Sequence, residues 1–394
     1  MSKHKIKYYP VGNGDMSLIS LKSKATILVD CNIRANSSDN MENPEEVKDD
    51  LLKSIQRNEE EQPFVDVFTL SHPDKDHCGG AKKHFYFGKP EDYPELEEED
   101  VELIVLNELW VTRRLFRGDL SKDADKIRQE ANRRKKLYDD EDDSKNDDGN
   151  RLVIIGYDGE EKFDDVPHYY PGKFYSEIGG EEQKDFEVFI HAPLKEDVVS
   201  SSSDSEKNFT SIIFQARFFE NETAKNNKEY SVRVIFGGDA DHYIWDKVLE
   251  KTKKNNREHT LEWDLLLAPH HCSWSFFNNT PYNDEDKPEN KIPQEYSLEF
   301  LDYMQTGSKV IASSNVIEEA KPNPPHQAAK DEYVKKVGKS NFLNTAIEPN
   351  EKNPKPIEFV ITKNGVAKAP SKKIKDAAAA AGGLGAASTV VTSG

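Results

Sequence analysis

The segment Ser71-His72-Pro73-Asp74-Lys75-Asp76-His77-Cys78-Gly79-Gly80 places two imidazoles and two carboxylates within six residues. Imidazole nitrogen and carboxylate oxygen are the donors that hold divalent metals, and such metals activate water and neutralise oxyanions. The block follows Phe64-Val65-Asp66-Val67-Phe68-Thr69-Leu70, an apolar run that predicts a buried strand. A strand that ends in this cluster puts its donors at one edge of a sheet. The competing reading is a solvated, charged surface loop.

Further strands are predicted to end in metal-capable residues. Asp30 follows ATILV, His191 follows FEVFI, Asp239 follows VRVIFGG, and His270-His271 follows WDLLLAP. In layered α/β folds, sites gather where the carboxyl ends of strands meet loops. Five such ends in one chain predict a single dinuclear site. Taken alone, Asp239 is also readable as a turn aspartate after Gly-Gly, and His191 as a buried structural histidine. The sequence leaves open which of His270 and His271 binds metal.

The elements that must position these residues alternate between strand and helix patterns. Short strands are predicted at 5–9, 16–20 and 25–30, and a helix over 43–59 with Asn43 as cap and Pro44 at its first position. Strands are also predicted at 101–106, 151–155, 185–191, 210–218, 230–236, 263–268, 309–313 and 357–362, and helices at 121–138, 244–253, 296–304 and 326–337. Residues of about 107–150 carry a dense run of charges and are read as a charged helical insertion, closed by a mobile acidic loop at 139–150. One domain is expected over 1–370. A low-complexity Ala/Gly/Ser/Thr tail at 371–394 is expected to be disordered.

Composition narrows the class. Hydrophobic residues make up 35% of the 394 and charged ones 32%, so a real core is diluted by polar segments. No apolar run reaches membrane-spanning length and no signal-peptide core is evident, which predicts a soluble cytoplasmic protein with no membrane partner. Three cysteines, Cys31, Cys78 and Cys272, are too few for a disulfide framework. The net charge of −19 repels nucleic acid at long range, so any polymer contact must use a local basic path or a partner protein. Arg113, Arg114 and Arg117, with Arg133, Arg134, Lys135 and Lys136, are the dense basic candidates for such a polymer or partner face. Solvated helix faces are the competing reading.

The order of these motifs resembles the metallo-β-lactamase superfamily. The H-x-D-x-D-H-x-G-G block at His72–Gly80, Gly237-Gly238-Asp239 and the H-H-x-S element at His270–Ser273 are most similar to the hydrolase domain of ComEC-type competence proteins and their soluble relatives, over about residues 5–330. The resemblance implies an α/β fold, a four-layer αβ/βα sandwich with two divalent metals at one edge. It implies His72 and Asp74 on the first metal, Asp76 and His77 on the second, Asp239 bridging both, and His270 or His271 after the later strand. Asp30 would support the motif loop without binding metal, and His191 would complete the first site. Asn208, Asn315 and His326 match supporting elements, and Lys75 lies near the substrate or simply offsets charge. Asp74 stands where the superfamily more often has histidine. A carboxylate there hardens the site and favours Mn²⁺ over Zn²⁺.

The expected function is a two-metal hydrolase, a phosphodiesterase or nuclease acting on DNA or RNA. A hydroxide held between the metals would attack, oriented by Asp76 or Asp239. The alternatives are hydrolysis of a small phosphodiester or other ester, and a metal-bearing subunit whose main role is assembly with a partner protein.

Overall fold

The computed structural model describes residues 3–33, 44–95, 101–156, 163–195, 197, 208–278, 288–319 and 323–370. The acidic stretch 96–100, the serine-rich stretch 200–205, Asn43 and the tail 371–394 lie outside them.

Alternation along Lys5–Tyr8 (β1) buries Ile6 and Tyr8 and leaves Lys5 exposed, the signature of a half-buried strand. β1 pairs antiparallel with β2 (Ser17–Ser20), which pairs antiparallel with β3 (Thr26–Val29). β4 (Pro63–Thr69), β5 (Ile104–Thr112) and β6 (Arg151–Ile155) then add in parallel on the far side of β3. In the second sheet β7 (Phe186–Ala192), β8 (Ile213–Phe219) and β9 (Tyr230–Phe236) are antiparallel. β10 (Trp263–Leu267), β11 (Met304–Ala312) and β12 (Phe342–Asn344) continue that sheet in parallel. The chain finally returns to the first sheet, where β13 (Ile357–Thr362) pairs with β1.

The sheets face each other across one apolar cluster. Ile6, Ile27, Val67 and Trp110 of the first sheet meet Val188, Phe214, Val234 and Leu265 of the second. On the outer face of the first sheet, α1 (Pro44–Leu52) and α2 (Lys122–Asp139) bury Val47, Leu51, Ala124, Ile127 and Ala131. On the outer face of the second, α3 (His242–Lys254), α4 (Glu295–Asp302) and α5 (Gln327–Val337) bury Trp245, Leu249, Phe300, Ala329 and Tyr333. The result is a mixed α/β architecture of stacked sheets flanked by helices. Among the described residues, no helix is long and apolar enough to cross a membrane.

Two sequence expectations change. The helix expected over 43–59 ends at Leu52, and Gln56–Arg57 pairs instead with Pro63 and Phe64 as a short strand. The apolar period lapses after Ile55, and the Arg57 guanidinium pairs with Glu102, 2.5 Å away. The stretch 107–150 is not an insertion. β5 runs on to Thr112 with every residue buried, and α2 is the crossover that links parallel β5 to β6. Asn107 and Glu108 interrupt the apolar run and hide the strand's second half from a reading by hydrophobicity. The acidic loop after α2 is tied down: the Gly149 N–H donates to the Asn107 carbonyl at 2.9 Å, and Asn150 Nδ2 donates to the Ser144 carbonyl at 2.9 Å.

The basic residues of this region do not form one open face. Arg134 is 1% exposed; it pairs with Glu130 and donates to the carbonyl oxygens of Leu106, Asn107 and Arg151 at 2.6–3.3 Å. Arg113 and Arg114 are buried, and Arg114 donates to the Arg117 carbonyl at 2.6 Å. Arg133 pairs with Glu130, Lys135 with Asp139, and Lys136 with Asp140. Helical spacing turns the basic run partly inward and matches the rest with carboxylates three or four residues away.

Glu108 is the cost of this arrangement. Burial pushes its carboxyl from an ordinary value of 4.5 up to about 7, against the Trp110 indole N–H that donates to it and the Arg151 charge nearby. The folded chain therefore binds more protons than the unfolded chain between about pH 4.5 and 7, and stability falls as pH rises through that window. Glu108→Gln keeps an acceptor for Trp110 and removes the ionisation. Urea unfolding at pH 5 and pH 8 should show this variant gaining about 3 kcal/mol on the parent at the higher pH. An identical pH slope in both proteins would refute the assignment.

Candidate metal centre

The parallel strands of both sheets end at one edge. β3 delivers Asp30, β4 delivers Ser71 and His72, β9 delivers Gly237-Gly238-Asp239, and β10 delivers His270 and His271. Gly238 has φ +49°, and a Cβ there would sit 3.2 Å from the Cβ atoms of Ser71 and Ser211, so glycine lets the Asp239 loop lie against the motif loop. His270, His271 and Cys272 are consecutively left-handed, with φ of 50°, 55° and 66°. Such non-glycine strain costs on the order of 1–3 kcal/mol per residue and gathers at functional sites. The His270 N–H donates to the Gly238 carbonyl at 3.0 Å and locks the two loops together.

Asp239 is the hub. Its Oδ2 lies 3.6 Å from His72 Nε2 and 3.6 Å from His270 Nε2. Its Oδ1 lies 3.1 Å from His77 Nε2 and 3.6 Å from His271 Nε2. Asp74 approaches the first pair, 3.9 Å from His72 Nε2, and Asp76 the second, 3.3 Å from His271 Nε2. Both histidines of the His270-His271 pair therefore point at the cluster, on opposite oxygens of one carboxylate.

Behind each ring stands an oxygen. Nδ1 of His77 meets Asp30 Oδ2 at 2.8 Å, that of His72 meets Ser71 Oγ at 3.1 Å, that of His270 meets Ser275 Oγ at 3.0 Å, and that of His271 meets the Ser313 carbonyl at 3.2 Å. Anchoring Nδ1–H leaves the Nε2 lone pair free to point inward, which is how metal-binding histidines are held. Nε2 of His72, His77 and His271, with Oδ1 of Asp15 and Asp239, are buried and make no hydrogen bond. Buried polar atoms without partners are costly, and their convergence here fits a cation that would take all of them.

Electrostatics in the chain alone agree. Burial lowers the pKa of His77, but Asp239 and Asp30 outweigh it and raise it well above the usual range. Burial also opposes the rise at His271, where Asp239 and Asp15 prevail. Burial and the neighbouring His77 push His72 down to about 3. Burial would raise Asp239, yet the surrounding imidazoles hold it well below the carboxylate range. These groups share too little positive charge among too many carboxylates.

Asp15 is the ligand candidate that the sequence reading missed. Asp15, His77, Asp239 and His271 are buried, with donor atoms all within 4.8 Å of one another, a group that could hold a metal ion. Asp15 lies 3.4 Å from His271 Nδ1 and closes the Gly12-Asn13-Gly14-Asp15 turn. Asn13 Nδ2 donates to the Pro324 carbonyl at 2.8 Å, and Ser313 Oγ donates to the Gly14 carbonyl at 2.6 Å. A Cβ on Gly14 would fall 2.1 Å from Asn32 Nδ2 and 2.6 Å from the Asp76 carbonyl oxygen. Glycine before an aspartate at the end of the first hairpin was the available signal.

The remaining candidates lie around the cluster. His191 Nε2 meets the Thr260 carbonyl at 3.0 Å and its ring packs edge-on against Phe189; desolvation pushes it down to about 3. It contributes no atom to the cluster, because a bulge between Ile190 and Ala192 interrupts the register there. His326 Nδ1 accepts from the Trp274 backbone N–H at 2.9 Å, and the His326 backbone N–H donates to the Cys272 carbonyl at 3.0 Å, so it braces the loop after His271. The Asn315 N–H donates to Asn13 Oδ1 at 2.9 Å. The Asn208 carbonyl accepts from Ser211, and Lys75 is exposed. Cys272 is buried in the outer cluster of the second sheet and packs there.

Asp30 gives a direct test of the anchoring. Its Oδ1 accepts from the Ser71 N–H at 2.7 Å, while Oδ2 accepts from Ser71 Oγ and faces His77 Nδ1. Asp30→Asn keeps the first bond but cannot hold His77 in the same tautomer. Metal affinity should fall about 10- to 100-fold in chelator competition. Unchanged affinity would remove Asp30 from the site.

In comparisons with known proteins, no family model and no curated protein matches the chain.

Proposed function

We propose that this chain is a metal-dependent hydrolase with the four-layer αβ/βα arrangement of the metallo-β-lactamase type, acting on phosphodiester bonds in nucleic acid. The observation that carries this reading is the Asp239 carboxylate, with two histidine Nε2 atoms facing each of its oxygens. Two divalent ions held by these groups would supply a Lewis-acidic site that activates water and neutralises phosphate oxygens. Asp74 and the His72–His270 pair would hold one, and Asp15, Asp76, His77 and His271 the other. The chain's own part is to exclude water behind the cluster, where His72, His77 and His271 are buried, and to open it on the side of Asp74, Asp76 and His270, which are 25–31% exposed. Asp76, at that mouth, would orient the attacking water as a hydrogen-bond acceptor. Carboxylates at Asp15, Asp74, Asp76 and Asp239 would repel a phosphodiester in the absence of cations, so substrate binding should itself depend on metal. The same oxygen donors favour Mn²⁺ over Zn²⁺. The free, buried cysteines support a reducing, cytoplasmic setting.

The experiment is to chelate the protein, restore Mn²⁺ or Zn²⁺, and assay single-stranded DNA, duplex DNA, RNA and bis(p-nitrophenyl) phosphate side by side. Cleavage is expected with Mn²⁺ above that with Zn²⁺. Full recovery with Zn²⁺ and none with Mn²⁺ would overturn the donor-hardness argument. Silence on every phosphodiester with either ion would overturn the hydrolase reading.

A further inference from the structure

At the sheet edge that carries the cluster stands an aromatic pair, one ring just before β8 and the other in the first turn of α3. Tyr243 is 50% exposed, and its ring centroid lies 5.8 Å from that of Phe209. Both rings are tied to the cluster through short backbone links. Tyr243 follows Asp239 by four residues, and its N–H donates to the Asp241 carboxylate at 3.1 Å. Phe209 precedes Ser211 and Ile212, and the Ile212 N–H donates to the Ser71 carbonyl at 3.0 Å, next to His72. The pair therefore stands on segments that adjoin His72 and Asp239, at the edge where the cluster lies.

The Tyr243 ring is also held in place. Lys247 Nζ sits over it, 4.3 Å from the centroid, and Lys247 is itself ion-paired with buried Asp197. A ring backed by a fixed cation, with half its surface open, is a preorganised stacking surface.

We infer that Phe209 and Tyr243 form a stacking platform for the nucleobase attached to the phosphate that the metal cluster holds, so that the substrate is a nucleotide or an unpaired strand of nucleic acid. The inference rests on the phosphodiesterase reading and names its substrate class. Every base has a π face, so the platform accepts any base; a base stacked within a duplex cannot reach it.

The test measures equilibrium binding of two ligands to the Mn²⁺-loaded protein. One is the dinucleoside monophosphate of thymidine, and the other has the same sugar-phosphate backbone without bases. The parent should bind the base-bearing ligand about 5- to 150-fold more tightly. Tyr243→Ala should collapse that ratio toward one, and Tyr243→Trp should keep it. Equal binding of both ligands by the parent, no measurable binding of either, or a ratio unchanged by Tyr243→Ala would each overturn the platform. Hydrolysis of both ligands with equal affinity would leave the phosphodiesterase reading standing without the platform. Base-dependent binding with no hydrolysis would do the reverse.

Discussion

Asp239→Ala is expected to lower bound metal from about two ions per chain to less than one, and to cut phosphodiester hydrolysis by about 1,000-fold or more. The size follows from where the carboxylate sits. One oxygen faces His72 and His270, and the other faces His77 and His271, so a single truncation removes a donor from both halves. His72→Ala or Asp76→Ala takes a donor from one half only and should leave more metal behind. Elemental analysis of the three variants separates these outcomes. A full complement of metal in Asp239→Ala would sink the ligand assignment, whatever its activity.

The second large effect lies away from the cluster. Arg134→Met should cost about 3–5 kcal/mol of stability, read by urea unfolding, because it strands buried Glu130 and the carbonyl oxygens of Leu106, Asn107 and Arg151. Part of Glu130 remains paired with Arg133, which sets the lower end of that range. Metal content at a temperature where the variant stays folded should match the parent. Adding Glu130→Gln should recover part of the loss, since the unpaired buried charge is then gone. If Arg134 instead served a polymer or partner surface, Arg134→Met would weaken that contact and leave unfolding unchanged.

The contiguous block from His72 to His77 was legible because strand and donors follow one another in the chain, and a local pattern suffices to place them. Asp239 and the His270-His271 pair were legible for the same reason, each standing just past an apolar run. Whether one histidine or both faced inward was not, since it turns on three consecutive left-handed residues that no propensity predicts. Asp15 was illegible for a different reason. Its turn is held by Pro324, Ser313 and Asn315, some three hundred residues away, and such contacts leave no local trace. His191 stands at a strand end yet faces the Thr260 carbonyl, because position after a strand does not fix direction where a bulge interrupts the register. The basic run at Arg133–Lys136 misled because charge density in a sequence does not report pairing: Arg134 points under the helix, and Asp139 and Asp140 stand four residues on.

The spread of the cluster along the chain bears on how the protein matures. Its donors run from Asp15 to His271, and the groups that hold them reach on to Ser313 and His326. Contacts of such separation close late in folding, after the local hairpins and crossovers have formed. A ribosome must therefore have released most of the second sheet before an ion could bind there, and binding would then cross-link both sheets at their common edge. Metal taken up at this step adds its binding energy to the folded state alone. The ion would thus act as a proofreader of assembly: chains broken before β11 should be left metal-free, strained at their left-handed loop, and open to degradation.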